Sequence, residues 1–285
     1  MRIGINLLLW TAHVSQEHLP LFAKLKAAGY DGIEIPVMDV SDPAHFTMLG
    51  RIARDHGLDC TTSTALPAAQ GSPISPEPAE RRAASDYLRR VIECAHNTGA
   101  DLLIGPIYQI IGRFTGSGPT EAELEHAAEV HREIAAYAEA AGLRCAVEPL
   151  NRFEAHLINT MEQARDYVRR VDHPALGAMH DTFHAHIEEK DPVASVETLY
   201  QTGKLFHVHI SENDRGTPGR GHAQLRPTIA KLKSLGYDGW LTIEAFGSAL
   251  PELASATRIW RSIFPDAEQV YSEGYRLVRD AWNTN

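Results

Sequence analysis

The sequence predicts an α/β chain folded as a single (β/α)₈ barrel of parallel strands, with an extra C-terminal helix, over residues 1–285. Three observations carry this. Short β-rich runs alternate with amphipathic segments along the chain. Several of those segments end in a glycine that leads into the next β-rich run. There are eight such runs in 285 residues, a length usual for a closed barrel.

The expected strands are Ile3–Leu7, Gly32–Ile35, Asp59–Ser63, Leu102–Gly105, Arg144–Glu148, Leu176–Asp181, Leu205–Ile210 and Trp240–Glu244. Between them, Leu19–Ala28, Ala79–His96, Glu121–Ala141, Met161–Val171, Val193–Tyr200 and Leu225–Leu235 place apolar residues at helical spacing. Thr120 and Glu123 form a capping-box pattern at the start of one helix. Gly29, Gly57, Gly99, Gly142 and Gly236 each follow a helical pattern, where glycine tolerates the left-handed conformation that closes a last turn. A doubly wound open sheet is the alternative, but it would carry a Gly-rich phosphate turn after its first strand, and Asn6-Leu7-Leu8-Leu9-Trp10 has none. The Pro/Ser-rich stretch 67–78 reads as a long loop over the barrel mouth, and Val270–Asn285 as the terminal helix.

Composition narrows the partners. Hydrophobic residues make up 44% and charged ones 22%, ordinary for a soluble globular chain. A net charge of −10 with no basic stripe argues against nucleic acid. The three cysteines, Cys60, Cys94 and Cys145, are too few and too widely spaced for a disulfide framework or a zinc knuckle. Cys145, in an apolar run, reads as an inert buried thiol. No apolar run is long enough to span a bilayer, and Met1 leads directly into a strand without a signal peptide. The expected compartment is the cytoplasm.

In this architecture functional residues sit at the C-terminal ends of strands. The fifth strand ends in Glu148, the sixth in Asp181, the eighth in Glu244, and the seventh carries His207-Val208-His209. Three carboxylates and an imidazole on one rim suit a divalent cation, and the oxygen-rich set favours Mn²⁺, Mg²⁺ or Co²⁺ over structural zinc. Without a cation the carboxylates would repel one another. His207 and His209 face the same way, and His209 is the candidate ligand because it lies nearer the rim. His207 then lies deeper, in the core or behind the ligand. His184 and Arg215 follow the sixth and seventh strands, either as donors for a developing oxyanion or, respectively, as a cap of the next helix and a mobile surface arginine. Glu34 either lines the pocket or bonds loop backbone. Trp10, Tyr108 and Phe246 either wall the cavity or pack in the core. His156, His180, His186 and His222 read as surface or packing residues.

The segments Val147-Glu148-Pro149-Leu150-Asn151-Arg152-Phe153-Glu154, Asp181-Thr182-Phe183-His184, Ile187-Glu188-Glu189, His207-Val208-His209, Arg215 and Ile243-Glu244-Ala245-Phe246 resemble the ketose 3-epimerases. This is the D-tagatose/D-allulose/L-ribulose 3-epimerase group of the xylose-isomerase-like barrels. The likeness is dense from Arg144 to Phe246 and loose before it. It implies a Mn²⁺ or similar ion held by Glu148, Asp181, His209 and Glu244, with Glu148 and Glu244 also serving as the acid/base pair. It implies substrate contacts from Glu154, His184 and Arg215, a small-molecule sugar substrate and a homodimer or homotetramer. The loop after Arg215 departs from the family: it reads Pro218-Gly219-Arg220-Gly221-His222 where Gly-Glu-Gly is usual. Arg220 and His222 add positive character near the mouth, which leaves room for a phosphorylated or acidic substrate.

The implied chemistry is inversion at C3 of a ketose through a cis-enediolate, one glutamate removing a proton and the other returning one to the opposite face. An aldose–ketose or hydroxypyruvate-type isomerase, or a sugar or cyclitol dehydratase, would share the same site. An apurinic-endonuclease-like phosphodiesterase would want histidines at the ends of the third and fourth strands, which read Ser63-Thr64 and Gly105-Pro106. A non-catalytic sugar-binding protein would not need the acid pair.

Overall fold

The computed structural model describes residues 1–284; Asn285, the last residue of the expected terminal helix, lies outside the described residues. Eight parallel strands close into a barrel in sequence order. They are β1 (Arg2–Asn6), β2 (Gly32–Pro36), β3 (Asp59–Ser63), β4 (Leu102–Gly105), β5 (Arg144–Val147), β6 (Leu176–Asp181), β7 (Leu205–Ile210) and β8 (Trp240–Ile243). Closure comes from β1 pairing with both β2 and β8, which rules out the open doubly wound sheet.

Among the described residues there are ten α-helices: α1 (Pro20–Ala28), α2 (Pro43–Asp55), α3 (Pro78–Thr98), α4 (Glu121–Ala140), α5 (Met161–Val171), α6 (Thr182–Glu188), α7 (Pro192–Tyr200), α8 (Leu225–Leu235), α9 (Pro251–Thr257) and α10 (Ala267–Asn283). All five glycines expected to close helices have positive φ, between 69° at Gly57 and 109° at Gly29. The capping box of α4 is present, with Thr120 and Glu123 bonding each other's backbone N–H. Among the described residues no helix is long and apolar enough to cross a membrane.

The main core lies between strands and helices. Inside the barrel, Leu102, Ile104, Ala146 and Met179 form a separate apolar cluster. Strand side chains alternate, so two residues beyond Ala146 the same face presents Glu148, and two beyond Met179 it presents Asp181. The barrel interior therefore changes from apolar to charged towards the C-terminal ends of the strands. A register shift between β6 and β7 at Ala178/Met179 leaves Asp181 directly opposite His209.

Helices α2 and α3 approach closely where Gly50 meets the end of α3: a Cβ at Gly50 would lie 2.0 Å from the Thr98 carbonyl oxygen. Gly50→Ala is expected to destabilise the fold by about 1–3 kcal/mol through overpacking, read as a lower urea midpoint; an unchanged midpoint would show that the helices do not touch there.

Candidate metal centre

Glu148 and Glu244 sit one residue past the ends of β5 and β8, yet each keeps a ladder bond: Glu148 N–H donates to Gly105 O at 3.0 Å and Glu244 N–H to Ile210 O at 3.2 Å. With Asp181 and His209 they form the predicted group of four. One atom from each lies within 4.8 Å of all the others. All four are buried.

The electrostatics of the group are uneven. Burial, and then the Glu244 carboxylate, push the Glu148 carboxyl well above the usual range. Burial would also raise Asp181, but the Arg215 guanidinium, with His184 and His209, holds it well below. Burial opposes charge on His209, yet Glu244 and Glu34 keep it well above the usual imidazole range.

Behind the group stands Glu34, which is fully buried. Asn6 Nδ2 donates to Oε1 at 2.9 Å and Thr61 Oγ1 to Oε2 at 2.9 Å. His209 Nε2 lies 2.8 Å from Oε1 and His207 Nε2 3.0 Å from Oε2. Burial alone would raise the Glu34 pKa, but His209 and His207 bring it well below its ordinary value, so it is ionised and only accepts. His209 Nε2 must then carry the proton. Its Nδ1 faces the other way, 3.3 Å from Glu244 Oε1 and 3.7 Å from Asp181 Oδ2, and makes no hydrogen bond. Such an atom calls for a cation, either a proton or a metal ion, and three carboxylates beside it suit a divalent ion with oxygen and imidazole ligands. The residues present fit that group. Asn6 ties the two layers together, since its Nδ2 also lies 3.3 Å from Glu244 Oε1.

The remaining predicted residues converge on the same mouth. Arg215 has φ 63°, a left-handed conformation rare for a non-glycine residue. Its Nη1 donates to Asp181 Oδ2 at 3.1 Å and Glu244 Oε2 at 2.5 Å. Its guanidinium lies 3.9 Å from the Phe183 ring centre and 5.0 Å from that of Phe246. The loop holding it is organised by buried Glu212, which accepts backbone N–H bonds from Asn213, Gly219 and Ala223. The Asn151 N–H donates to His184 Nδ1 at 3.0 Å, so neutral His184 has its proton on Nε2. Burial first, and then Arg215, lower the His184 pKa to about 3. His184 Nε2 lies 2.8 Å from Arg215 Nη2 and 3.6 Å from Glu148 Oε1, so the three groups converge at one point of the cavity wall. Glu154 is positioned by Asn151 Nδ2 at 2.8 Å, and burial raises its pKa.

A cavity of about 720 Å³ opens here. Glu148, Glu244, Glu154, His184 and Arg215 all line it, whereas Asp181 and His209 do not. Phe246 walls it, but Trp10 packs on Tyr271 and Tyr108 is buried with its hydroxyl on Ile158 O. The stretch 67–78 follows β3 at the same end of the barrel as the site, but none of its residues lines the cavity. Arg220 and His222 are also absent from its wall. Arg220 instead forms a two-pronged pair with Glu273 at 2.7 and 2.8 Å, because Gly219 and Gly221 turn the loop tightly around Glu212. Glu34 neither lines the pocket nor bonds loop backbone; it anchors the two histidines. His180 packs outside the barrel against Ser195.

The sequence matches the family model of the xylose isomerase-like TIM barrels over residues 22–281, and the chain belongs to that family. It is 31% identical to the probable ketose 3-epimerase of Synechocystis sp., over 100% of this chain and 98% of that one. It is 31% identical to the ketose 3-epimerase of Arthrobacter globiformis, over 98% and 96%. The D-allulose 3-epimerase structure from Methylomonas sp. superposes with a TM-score of 0.91 at 26% identity, covering 99% of this chain and 98% of that one. Within the family this chain is a carbohydrate isomerase of the ketose 3-epimerase group.

Glu34→Gln replaces an acceptor oxygen with an amide donor and disrupts the tautomer that His209 needs. Its affinity for Mn²⁺, measured by competition with a chromophoric chelator, is expected to fall about 10- to 100-fold. Unchanged affinity would remove Glu34 from any orienting role.

Proposed function

We propose that the protein inverts C3 of a ketose through a cis-enediolate, with Glu148 and Glu244 as the acid/base pair. One observation carries the reading: of the four clustered residues, only these two glutamates reach the cavity wall. Asp181 and His209 hold from behind, while Glu148 and Glu244 both hold and face the substrate.

Glu148, Asp181, His209 and Glu244 would hold a divalent ion, Mn²⁺ by preference with Mg²⁺ or Co²⁺ as substitutes, which when bound supplies Lewis-acid stabilisation of charge on the substrate oxygens. A proton beside a ketone is weakly acidic. One glutamate carboxylate removes it from C3, and the other carboxyl group delivers a proton to the opposite face. Arg215 and His184 direct N–H groups to the oxygen that gains charge, in a site where burial strengthens each such bond. Glu154, fixed by Asn151, receives a substrate hydroxyl. The Phe183 and Phe246 rings confine the guanidinium to one plane. The sugar substrates named for the relatives support this class, and a homodimer or homotetramer in the cytoplasm completes the proposal.

Glu148→Gln and Glu244→Gln are each expected to lower C3 proton exchange in deuterated water by at least about 100-fold with the fold intact. NMR of the recovered ketose reads the exchange, and a variant that still exchanges at the parent rate would remove its residue from the chemistry. Arg215→Lys keeps a charge but loses the planar fork. Its kcat/KM is expected to fall about 100-fold; a value within twofold of the parent would refute the role given to the guanidinium.

A further inference from the structure

Glu148 stands one residue beyond β5, and the segment that follows β4 holds its backbone. Gly105 O accepts from two N–H groups, that of Glu148 at 3.0 Å and that of Ile107 at 2.9 Å. Two residues past the glutamate, the Leu150 N–H donates to the Tyr108 hydroxyl at 3.2 Å, and that hydroxyl donates to Ile158 O at 3.1 Å. Residues 105–108 therefore grip the chain at Glu148 and again at Leu150. The grip has little room on its other side. Gly105 has φ 136°, and a Cβ there would lie 2.0 Å from Thr64 O, just past β3.

The same four residues are anchored from the helix layer. Ile107 O lies 3.1 Å from Nε2 of His131, on α4, and His131 Nδ1 lies 2.6 Å from the Tyr167 hydroxyl, on α5. A carbonyl oxygen only accepts, so Nε2 carries the hydrogen. Nδ1 is then bare and accepts from the Tyr167 O–H. Both side chains are buried, and burial pushes the His131 pKa down to about 4, so the ring is neutral. An imidazole and a phenol buried between helices are costly unless each polar atom is paired. Here all three are, and a fully paired network fixes one arrangement of the elements it joins. Two apolar side chains would fill the space without holding Ile107 O.

We propose that His131, with Tyr167 behind it, is a positioning residue for Glu148. The chain from Tyr167 through His131 to Ile107 O fixes the turn 105–108, and that turn fixes where the Glu148 carboxyl stands. His131 does not line the cavity, so it acts only through the backbone it holds. The inference rests on the epimerase reading for what Glu148 does to substrate, but not for its place beside Asp181, His209 and Glu244.

His131→Phe keeps an aromatic ring opposite Tyr167, whose ring it meets edge-on at 5.6 Å, but removes the donor to Ile107 O. His131→Gln has an amide donor and an acceptor oxygen for the two partners. Both are assayed as the full chain with added Mn²⁺ on a free ketohexose, at a temperature where circular dichroism shows them folded. His131→Phe is expected to lower kcat for C3 proton exchange at least about tenfold with KM within about twofold, as misplacing a proton-transferring group does. Its Mn²⁺ affinity is expected to fall about three- to tenfold. His131→Gln is expected to recover most of both losses. A parent kcat in His131→Phe, a loss carried by KM alone, or a His131→Gln as impaired as His131→Phe overturns the proposal. If His131→Phe does not fold, Tyr167→Phe decides: a kcat about threefold lower at unchanged KM upholds the proposal, and a parent kcat overturns it. If the parent exchanges C3 of no ketose, the epimerase reading falls alone. The Mn²⁺ affinities of the same variants then decide the positioning role, weaker in His131→Phe and restored in His131→Gln if it holds, equal to the parent in both if it does not.

Discussion

Everything at the mouth of this barrel depends on a carboxylate that never reaches it. Glu34 is surrounded by Asn6, Thr61, His207 and His209, all within 3.0 Å. An ionised carboxylate has about four acceptor positions, and here each has a polar neighbour. That occupancy fixes which nitrogen of His209 bears hydrogen and aims the bare nitrogen at three carboxylates. A buried, unsatisfied nitrogen beside Asp181 and Glu244 is unfavourable by itself and becomes favourable when a cation stands between them. The polar interior of the barrel is thus arranged in two layers, an inner one around Glu34 and an outer one of Glu148, Asp181 and Glu244 facing His209 Nδ1.

The outer layer is held as tightly. Arg215 is the counter-charge to Asp181 and Glu244, and its left-handed backbone is a strained arrangement for a side chain of this size. The strain is maintained by neighbours: Glu212 gathers the loop by three backbone N–H groups, and Phe246 N–H donates to Arg215 O at 2.9 Å. Pre-set donors cost no reorganisation when charge develops, which is where most stabilisation of an oxyanion arises. The same loop sends Arg220 outward to Glu273, which confines positive charge at the mouth to Arg215 and the solvent-facing Arg258.

Much of this was readable in the sequence. Strand limits were legible to within a residue, helped at β2, β3, β4, β5 and β8 by the left-handed glycine that closes the preceding helix. The four clustered residues followed from strand ends alone, since all eight strands point the same way. What escaped were features decided by distant residues. Asn6 and Glu244 are 238 positions apart, and Glu34 and His209 are 175 apart, so no local pattern marks Glu34 as an anchor. Helix α9, Pro-Glu-Leu-Ala-Ser-Ala-Thr, is too short to show a period, although it lines the cavity with Leu253 and Ala256. For Trp10 the sequence leaves cavity wall and core packing both open, and the 3₁₀ turn Leu7–Leu9 carries it round to Tyr271. Arg220 and His222 seemed to face the mouth because a loop's direction depends on what its glycines must clear, here the Glu212 carboxylate.

The most direct test is a crystal soaked in Mn²⁺ and measured for anomalous scattering. One strong peak is expected among Glu148, Asp181, Glu244 and His209 Nδ1, at about 2.0–2.3 Å from each ligand atom, with Glu34 still hydrogen-bonded to His209 Nε2. A peak seated instead among Glu34, His207 and His209, or a His209 ring turned so that Nε2 meets the metal, would contradict it.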